Sequence, residues 1–70
     1  MFKYVTFEVW FDGFGYGETS CKSLAGSEAE LDMDMIYAAH KLLTSSPWNF
    51  KDEDIDNADL DLVVISIEPW

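Results

Sequence analysis

The stretch KYVTFEVWFD, residues 3–12, decides the fold, because apolar side chains recur at every second position along it. The odd positions carry Val5, Phe7, Val9 and Phe11, and most residues of the stretch are β-branched or aromatic. A period of two is typical of a strand with one buried face. We therefore predict a strand over residues 3–12 whose odd-numbered side chains enter the core.

The even positions of this strand form its other face and are mixed in character: Tyr4, Thr6, Glu8 and Trp10. The rest of the chain offers no second long helix to cover them. An uncovered sheet face that carries aromatic residues suggests a binding partner.

A hairpin is predicted directly after the first strand. Asp12-Gly13 is a strong turn signal, and Gly15 and Gly17 add further residues that tolerate positive φ. A weaker extended run follows, so we predict the return strand over residues 16–24.

A helix is predicted over residues 27–45. Ser27 followed three residues later by Glu30 is the capping-box pattern, and Ser45-Ser46-Pro47 ends the helix. Between these signals the apolar residues repeat at helical spacing: Leu31, Met35, Ala38, Ala39 and Leu42.

The last third of the chain contains an acidic segment and then an apolar strand. Residues 48–61 are acidic and aperiodic, so we predict a loop with at most one helical turn. Residues 62–68 are almost all apolar and β-branched, as expected of a central strand buried on both faces. The first and last strands are expected to be neighbours, and the connection is long enough for them to be parallel.

These elements predict an α+β fold: one domain over residues 1–70, in the order ββαβ, with one helix packed on a three-stranded sheet in two layers. Seventy residues suffice for one thin core and not for two. The chain begins at a methionine, which suggests a complete small gene product.

The charge balance excludes several classes of function. Fourteen Asp and Glu residues stand against four lysines, for a net charge of −10, so direct binding to nucleic acid or to an anionic membrane is not expected. No apolar run is long enough to cross a bilayer. A single cysteine, Cys21, favours the reducing cytoplasm, and we expect it to be either a small buried hydrophobe or a thiol without a role.

Motifs for catalysis and cofactors are incomplete. Residues 13–17 have the spacing Gly-x-Gly-x-Gly, which is not the dinucleotide fingerprint, and Cys21-Lys22-Ser23 lacks the glycines of a phosphate loop. Residues 52–63 begin like a calcium loop but end in Val63 where glutamate is required. His40 is the single histidine and is expected to face solvent. We predict no enzymatic activity, no cofactor and no metal site.

The acidic residues are the feature that points to function. In an extended segment, alternate side chains lie about 6.6 Å apart, comparable with successive phosphates of a nucleic-acid strand. Aromatic residues beside them would supply anchoring contacts. The candidate partner-binding residues are Asp52, Glu53, Asp54, Asp56, Asp59, Asp61, Glu30, Asp34, Tyr37, Trp48 and Trp10.

In size, charge, expected architecture and the acidic run from Asp52 to Asp61, the chain resembles the small acidic inhibitor proteins of bacteriophages, including anti-CRISPR proteins and DNA mimics. The resemblance rests on general character and transfers no individual residue. It implies a non-enzymatic inhibitor in the bacterial cytoplasm that fills the basic groove of a CRISPR effector, nuclease or RNA polymerase.

Two other functions are consistent with the sequence. The chain could instead be an interaction subunit that dimerises or docks through its uncovered sheet face or an edge strand, with acidity serving solubility. A small antitoxin that binds a basic toxin would show the same charge behaviour as the inhibitor.

Overall fold

A computed structural model describes residues 3–24, 27–56 and 59–69. These residues form a three-stranded antiparallel sheet and two helices, numbered here in chain order. The elements are β1 (Lys3–Phe11), β2 (Phe14–Ser23), α1 (Glu28–Thr44), α2 (Asp52–Asp56) and β3 (Leu60–Pro69). The predicted α+β class and the ββαβ arrangement of the sheet with its main helix are confirmed.

The hairpin between β1 and β2 is tighter than expected. Asp12 and Gly13 both have positive φ, 52° and 81°, as the two central residues of a type I′ turn require. β2 therefore begins at Phe14 instead of residue 16. Gly15 and Gly17 lie within β2, and Gly17, at φ 104°, occupies the irregular register between Glu8 and Trp10 of β1.

The order of strands is β2-β1-β3, so β3 lies at an edge and the prediction of a central strand is wrong. Its position beside β1 is confirmed, and the pairing is antiparallel. An apolar run on both faces is typical of a strand covered on both sides, but here much of β3 is left uncovered. The strand is also longer than predicted, because it starts at Leu60.

α1 begins and ends close to the predicted positions. The Ser27 hydroxyl accepts a hydrogen bond from the Glu30 backbone N–H at 3.3 Å, which makes Ser27 the N-cap. At the other end the Ser45 N–H donates to the Leu42 carbonyl. The Ser27 cap and the stop signal that begins at Ser45 therefore bound the helix where the sequence predicts.

The core lies between β1 and α1. The four odd residues of β1 are buried as predicted, and Met35 and Ala39 of α1 are buried with them. The other predicted helix positions, Leu31, Ala38 and Leu42, are half-buried against this core. Two further residues complete it: Leu43, at the end of α1, and Ile55, from α2.

On the other face of the sheet, Tyr4 and Trp10 are exposed while Thr6 and Glu8 are half-buried. Neither described helix covers this face, because both contribute their buried residues to the core on the opposite side. Within residues 3–24, 27–56 and 59–69, no helix is both long and apolar enough to cross a membrane.

Candidate functional site

The acidic segment is held against the body of the protein by backbone hydrogen bonds. After α1 ends, the chain folds back, and the Phe50 N–H donates to the Leu43 carbonyl at 2.9 Å. The Lys51 carbonyl then accepts from Asp54 and Ile55 at 3.0 and 3.2 Å, which starts α2. The predicted loop over residues 48–61 therefore contains one ordered helical turn.

Aromatic rings fasten the start of this segment. Phe50 packs edge-on against Phe11 and Tyr16, with ring centroids 5.1 and 5.4 Å apart. Trp48 packs edge-on against Tyr16 at 4.9 Å and remains partly exposed. Edge-to-face packing at these distances is favourable beyond the area it buries. Trp48 therefore serves the packing of the segment while leaving part of its ring accessible to a partner.

α2 is anchored on one side by an apolar residue and on another by an imidazole. Ile55 is fully buried in the core. Asp52 and Asp56 lie one helical turn apart and flank His40 of α1: Nδ1 is 3.0 Å from Asp52, and Nε2 is 3.5 Å from Asp56. The His40 side chain is only 19% exposed, so the prediction that it faces solvent is wrong.

The exposed acids of α2 lie near an apolar groove on α1. Glu53 and Asp54 are exposed, as is Tyr37 of the adjacent helix. Met33, Ile36 and Tyr37 line a shallow groove whose other walls are His40 and Asp52. The candidate site is therefore this groove together with α2, and we call it the α2 face.

Because α2 is helical, its acidic side chains do not have the spacing that was compared with successive phosphates of a nucleic-acid strand. The 6.6 Å spacing assumed an extended segment in which alternate side chains share a side. In the helical turn, the two acids that share a side are Asp52 and Asp56, and both are directed at His40. The α2 face therefore presents a compact negative charge and not a linear row of phosphate-like groups.

Glu30 and Asp34 were expected to extend the acidic surface, but Asp34 is hydrogen-bonded to β2. It is half-buried and accepts a hydrogen bond from the hydroxyl of Ser23, a buried residue at the end of β2. Glu30 is exposed and lines a second shallow groove with Asp34 and Lys22 on this β2 side of α1. These two acids therefore do not belong to the α2 face.

Cys21 also lies near Asp34 on β2. It is half-buried and packs against the core, where burial, followed by the charge of Asp34, raises the pKa of its thiol above the usual 9.0. A raised pKa leaves little thiolate near neutral pH, which makes a nucleophilic role unfavourable.

Trp10, Asp59 and Asp61 occupy a different part of the surface. Trp10 and Asp61 are cross-strand partners on the uncovered sheet face, and the indole of Trp10 covers Gly15. Asp59 is exposed, and its carbonyl accepts from the Asp12 N–H at 2.9 Å at the hairpin end of the sheet. The structure thus separates the predicted residues. Asp52, Glu53, Asp54, Asp56 and Tyr37 belong to the α2 face, whereas Glu30 and Asp34, Trp48, Asp59, and the pair Trp10 and Asp61 lie elsewhere.

Sequence reasoning missed three members of this face: His40, Met33 and Ile36. The spacing of Met33, Ile36 and His40 by three and four residues, one stripe of α1, was the available signal. This spacing was not sufficient to predict the groove. The groove forms only because Asp52 of α2 packs beside this stripe, and the sequence does not give the position of α2.

Among the described residues no group of three or more His, Cys, Asp or Glu side chains is arranged to hold a metal ion. Comparisons with protein-family models, with curated proteins and with solved structures find no match.

Proposed function

We propose that this protein is a non-enzymatic inhibitor that binds a basic groove of a nucleic-acid-handling protein and keeps nucleic acid out. The observation that carries the proposal is the α2 face: a turn with four acids in five residues, fastened to the core by Ile55 and set beside the exposed Tyr37. A rigid negative surface with an adjacent aromatic ring suits fast electrostatic association followed by local anchoring.

The proposed targets are those of the phage inhibitors that the chain resembles: CRISPR effectors, nucleases and RNA polymerase. Such an inhibitor would act in the cytoplasm of the bacterial host. A net charge of −10 favours binding wherever a target accumulates positive charge to hold phosphates. The proposal requires no cofactor and no chemical step, since occupying the groove is enough to inhibit.

The test is capture from a bacterial lysate by the tagged protein, at about 50 mM and about 500 mM salt, with double-stranded DNA as the competitor. We expect a nucleic-acid-handling protein to be retained at low salt and released by DNA. A partner that DNA does not displace would contradict the proposal.

Variants make this test specific to the α2 face. Glu53→Gln with Asp54→Asn removes two exposed charges without touching the acids that flank His40. Glu18→Gln with Asp32→Asn removes the same charge from exposed positions on β2 and the early part of α1. We expect the first pair to weaken capture strongly and the second pair to weaken it little. Equal weakening would show that net charge matters and that the α2 face does not.

A second function is favoured by a separate observation, the exposed apolar side chains of β3. They support an interaction subunit that docks through its sheet, with acidity serving solubility. Its binding would persist at high salt, because apolar contacts are not screened.

A further inference from the structure

β3 presents an apolar surface that the rest of the described chain leaves open. Val63, Val64, Ile65 and Ile67 are each 44–50% exposed. The register with β1 places Val64 on the core side of the sheet, beside Phe7, and Val63 on the other side, beside Glu8. Both faces of this strand are therefore available.

The main chain of β3 is also available along one side. β3 pairs with β1 alone, so along its outer edge alternate N–H and C=O groups have no strand partner among the described residues. Such an edge is a template for another strand, and proteins usually protect it with lysines, proline or a covering loop. In β3 the single proline, Pro69, stands at its end, and the strand has no lysine.

The local geometry limits where a strand can pair. β3 contains one extra residue, Ile65, between the pairs Thr6–Ser66 and Phe7–Val64, which is a β-bulge. A bulge bends the strand and interrupts its ladder. The regular stretch on the hairpin side of the bulge runs from residue 60 to residue 64 and includes Asp61.

The charge of the protein decides the kind of occupant. If two copies paired antiparallel over residues 60–64, centred on Leu62, Asp61 of each would lie diagonally beside Asp61 of the other on the same face, and neighbouring like charges are unfavourable. Each copy would also bring a net charge of −10. A strand with basic residues meets Asp61 favourably, and Asp59 adds negative charge at the same end.

We propose that the free edge of β3 over residues 60–64 binds an extended segment of a basic partner protein as a fourth strand. The segment alternates: apolar side chains cover Leu62 and Val64 on the core side, and lysine or arginine lies on the side of Asp61. Main-chain hydrogen bonds supply affinity, and the alternation supplies specificity. The inference rests on β3 alone and does not require the α2 face to bind.

The probe is a blocked seven-residue peptide in which valine alternates with lysine. Two N-methylated forms carry the methyl groups on opposite edges of the extended peptide, so that each form lacks the N–H donors of one edge. Because a strand pairs through one edge, we expect one methylated form to lose binding at least about tenfold and the other to bind like the parent. If both forms bind like the parent, attraction is by charge alone and the proposal fails.

Amide hydrogen exchange locates the complex. We expect amides within residues 60–64 to gain protection when the lysine peptide binds. A matched peptide with glutamate in place of lysine should give no protection there. Protection confined to α2, equal protection by the glutamate peptide, or no binding of the lysine peptide would overturn the proposal. Concentration-dependent protection of residues 60–64 without peptide would identify a second copy as the occupant and overturn it as well.

The matched variants are Val63→Lys on β3 and Phe14→Lys at the start of β2. Both replace an exposed apolar residue with lysine, so the change in charge is identical. We expect Val63→Lys to weaken peptide binding at least about tenfold and Phe14→Lys to change it less than about twofold. Equal effects would overturn the proposal. The Glu53→Gln, Asp54→Asn protein should still bind the peptide, which separates this test from that of the proposed inhibitor.

Discussion

The two edge strands of the sheet, β2 and β3, are protected to very different extents. β2 has an irregular register at Gly17, carries Lys22, and is tied to α1 by the hydrogen bond from Ser23 to Asp34. Along β3, α1 makes little close approach, and apolar side chains remain exposed on both faces. Bulges, lysines and covering elements are the usual means of preventing unwanted strand pairing. Both strands have a bulge, but β3 lacks the lysine and the cover.

This difference shows how one helix divides a three-stranded sheet. A single helix, about 10 Å wide, does not fully cover three strands, which at about 4.8 Å each occupy about 14 Å. α1 takes the β2 side, and α2, a single turn, closes the end of the core with Ile55. The uncovered strand is the one that we propose to bind a partner.

The largest expected effect on stability comes from a change in β1, the central strand that pairs with both edge strands. Phe7→Ala removes a fully buried ring at the centre of β1, and we expect a loss of about 3–5 kcal/mol in the free energy of unfolding. Denaturant unfolding measures it, with the exposed Phe14→Ala as the control. Hydrogen exchange should show both edges losing protection together. If the β1–β2 hairpin kept its protection while β3 lost it, the two edges would not depend on a common core.

The second prediction addresses the link between β2 and α1. Ser23→Ala leaves Asp34 without its hydroxyl donor, and because Asp34 is half-buried we expect a loss of about 1 kcal/mol in stability. Ser20→Ala is the control: its hydroxyl is 3.1 Å from that of Thr6 on the uncovered face. We expect this control to cost less, because solvent there replaces the lost bond more readily. A cost at Ser20 equal to that at Ser23 would mean that the link to α1 contributes nothing special to β2.

A smaller effect is expected on the alkylation rate of the Cys21 thiol on β2. Because its pKa is raised in the folded protein, we expect alkylation near neutral pH to be several times slower than in the unfolded chain. The neutral thiol favours folding at pH values below the unfolded pKa of 9.0, and that contribution is lost as the pH rises above it. Timed alkylation across pH 7–10 measures the rate. Equal rates in both states would show that β2 opens freely and is no better protected than β3.

The smallest expected change in stability is at β3 itself. Val63→Lys replaces a side chain that is already half exposed, so we expect the free energy of unfolding to change by no more than about 0.5 kcal/mol. Association with the valine–lysine peptide should fall nevertheless, because a lysine on an edge strand opposes pairing. Phe14→Lys serves as the control on β2. If it reduced association by the same amount, the contrast between the two edges would be lost.

The α2 face was only partly predictable from the sequence. The run Asp52 to Asp61 indicated an acidic site, but residues 52–56 form a helical turn, and Asp61 lies on the uncovered face of the sheet. His40 is twelve residues from Asp52 along the chain, and their contact depends on how α2 packs. No local pattern reports such a contact, because neither the period nor the capping signals extend beyond one element.

What the sequence determined by itself is local: the alternation of β1, the Asp12-Gly13 turn and the Ser27 cap each follow from the steric and hydrogen-bonding preferences of a few neighbouring residues. Only the tertiary structure decided that β3, the strand with the continuous aliphatic run, lies at an edge, and that β1 lies at the centre. The physical reason is that strand order depends on which pairings and which helix position bury the most apolar surface together. That quantity belongs to the assembled chain and to no single segment.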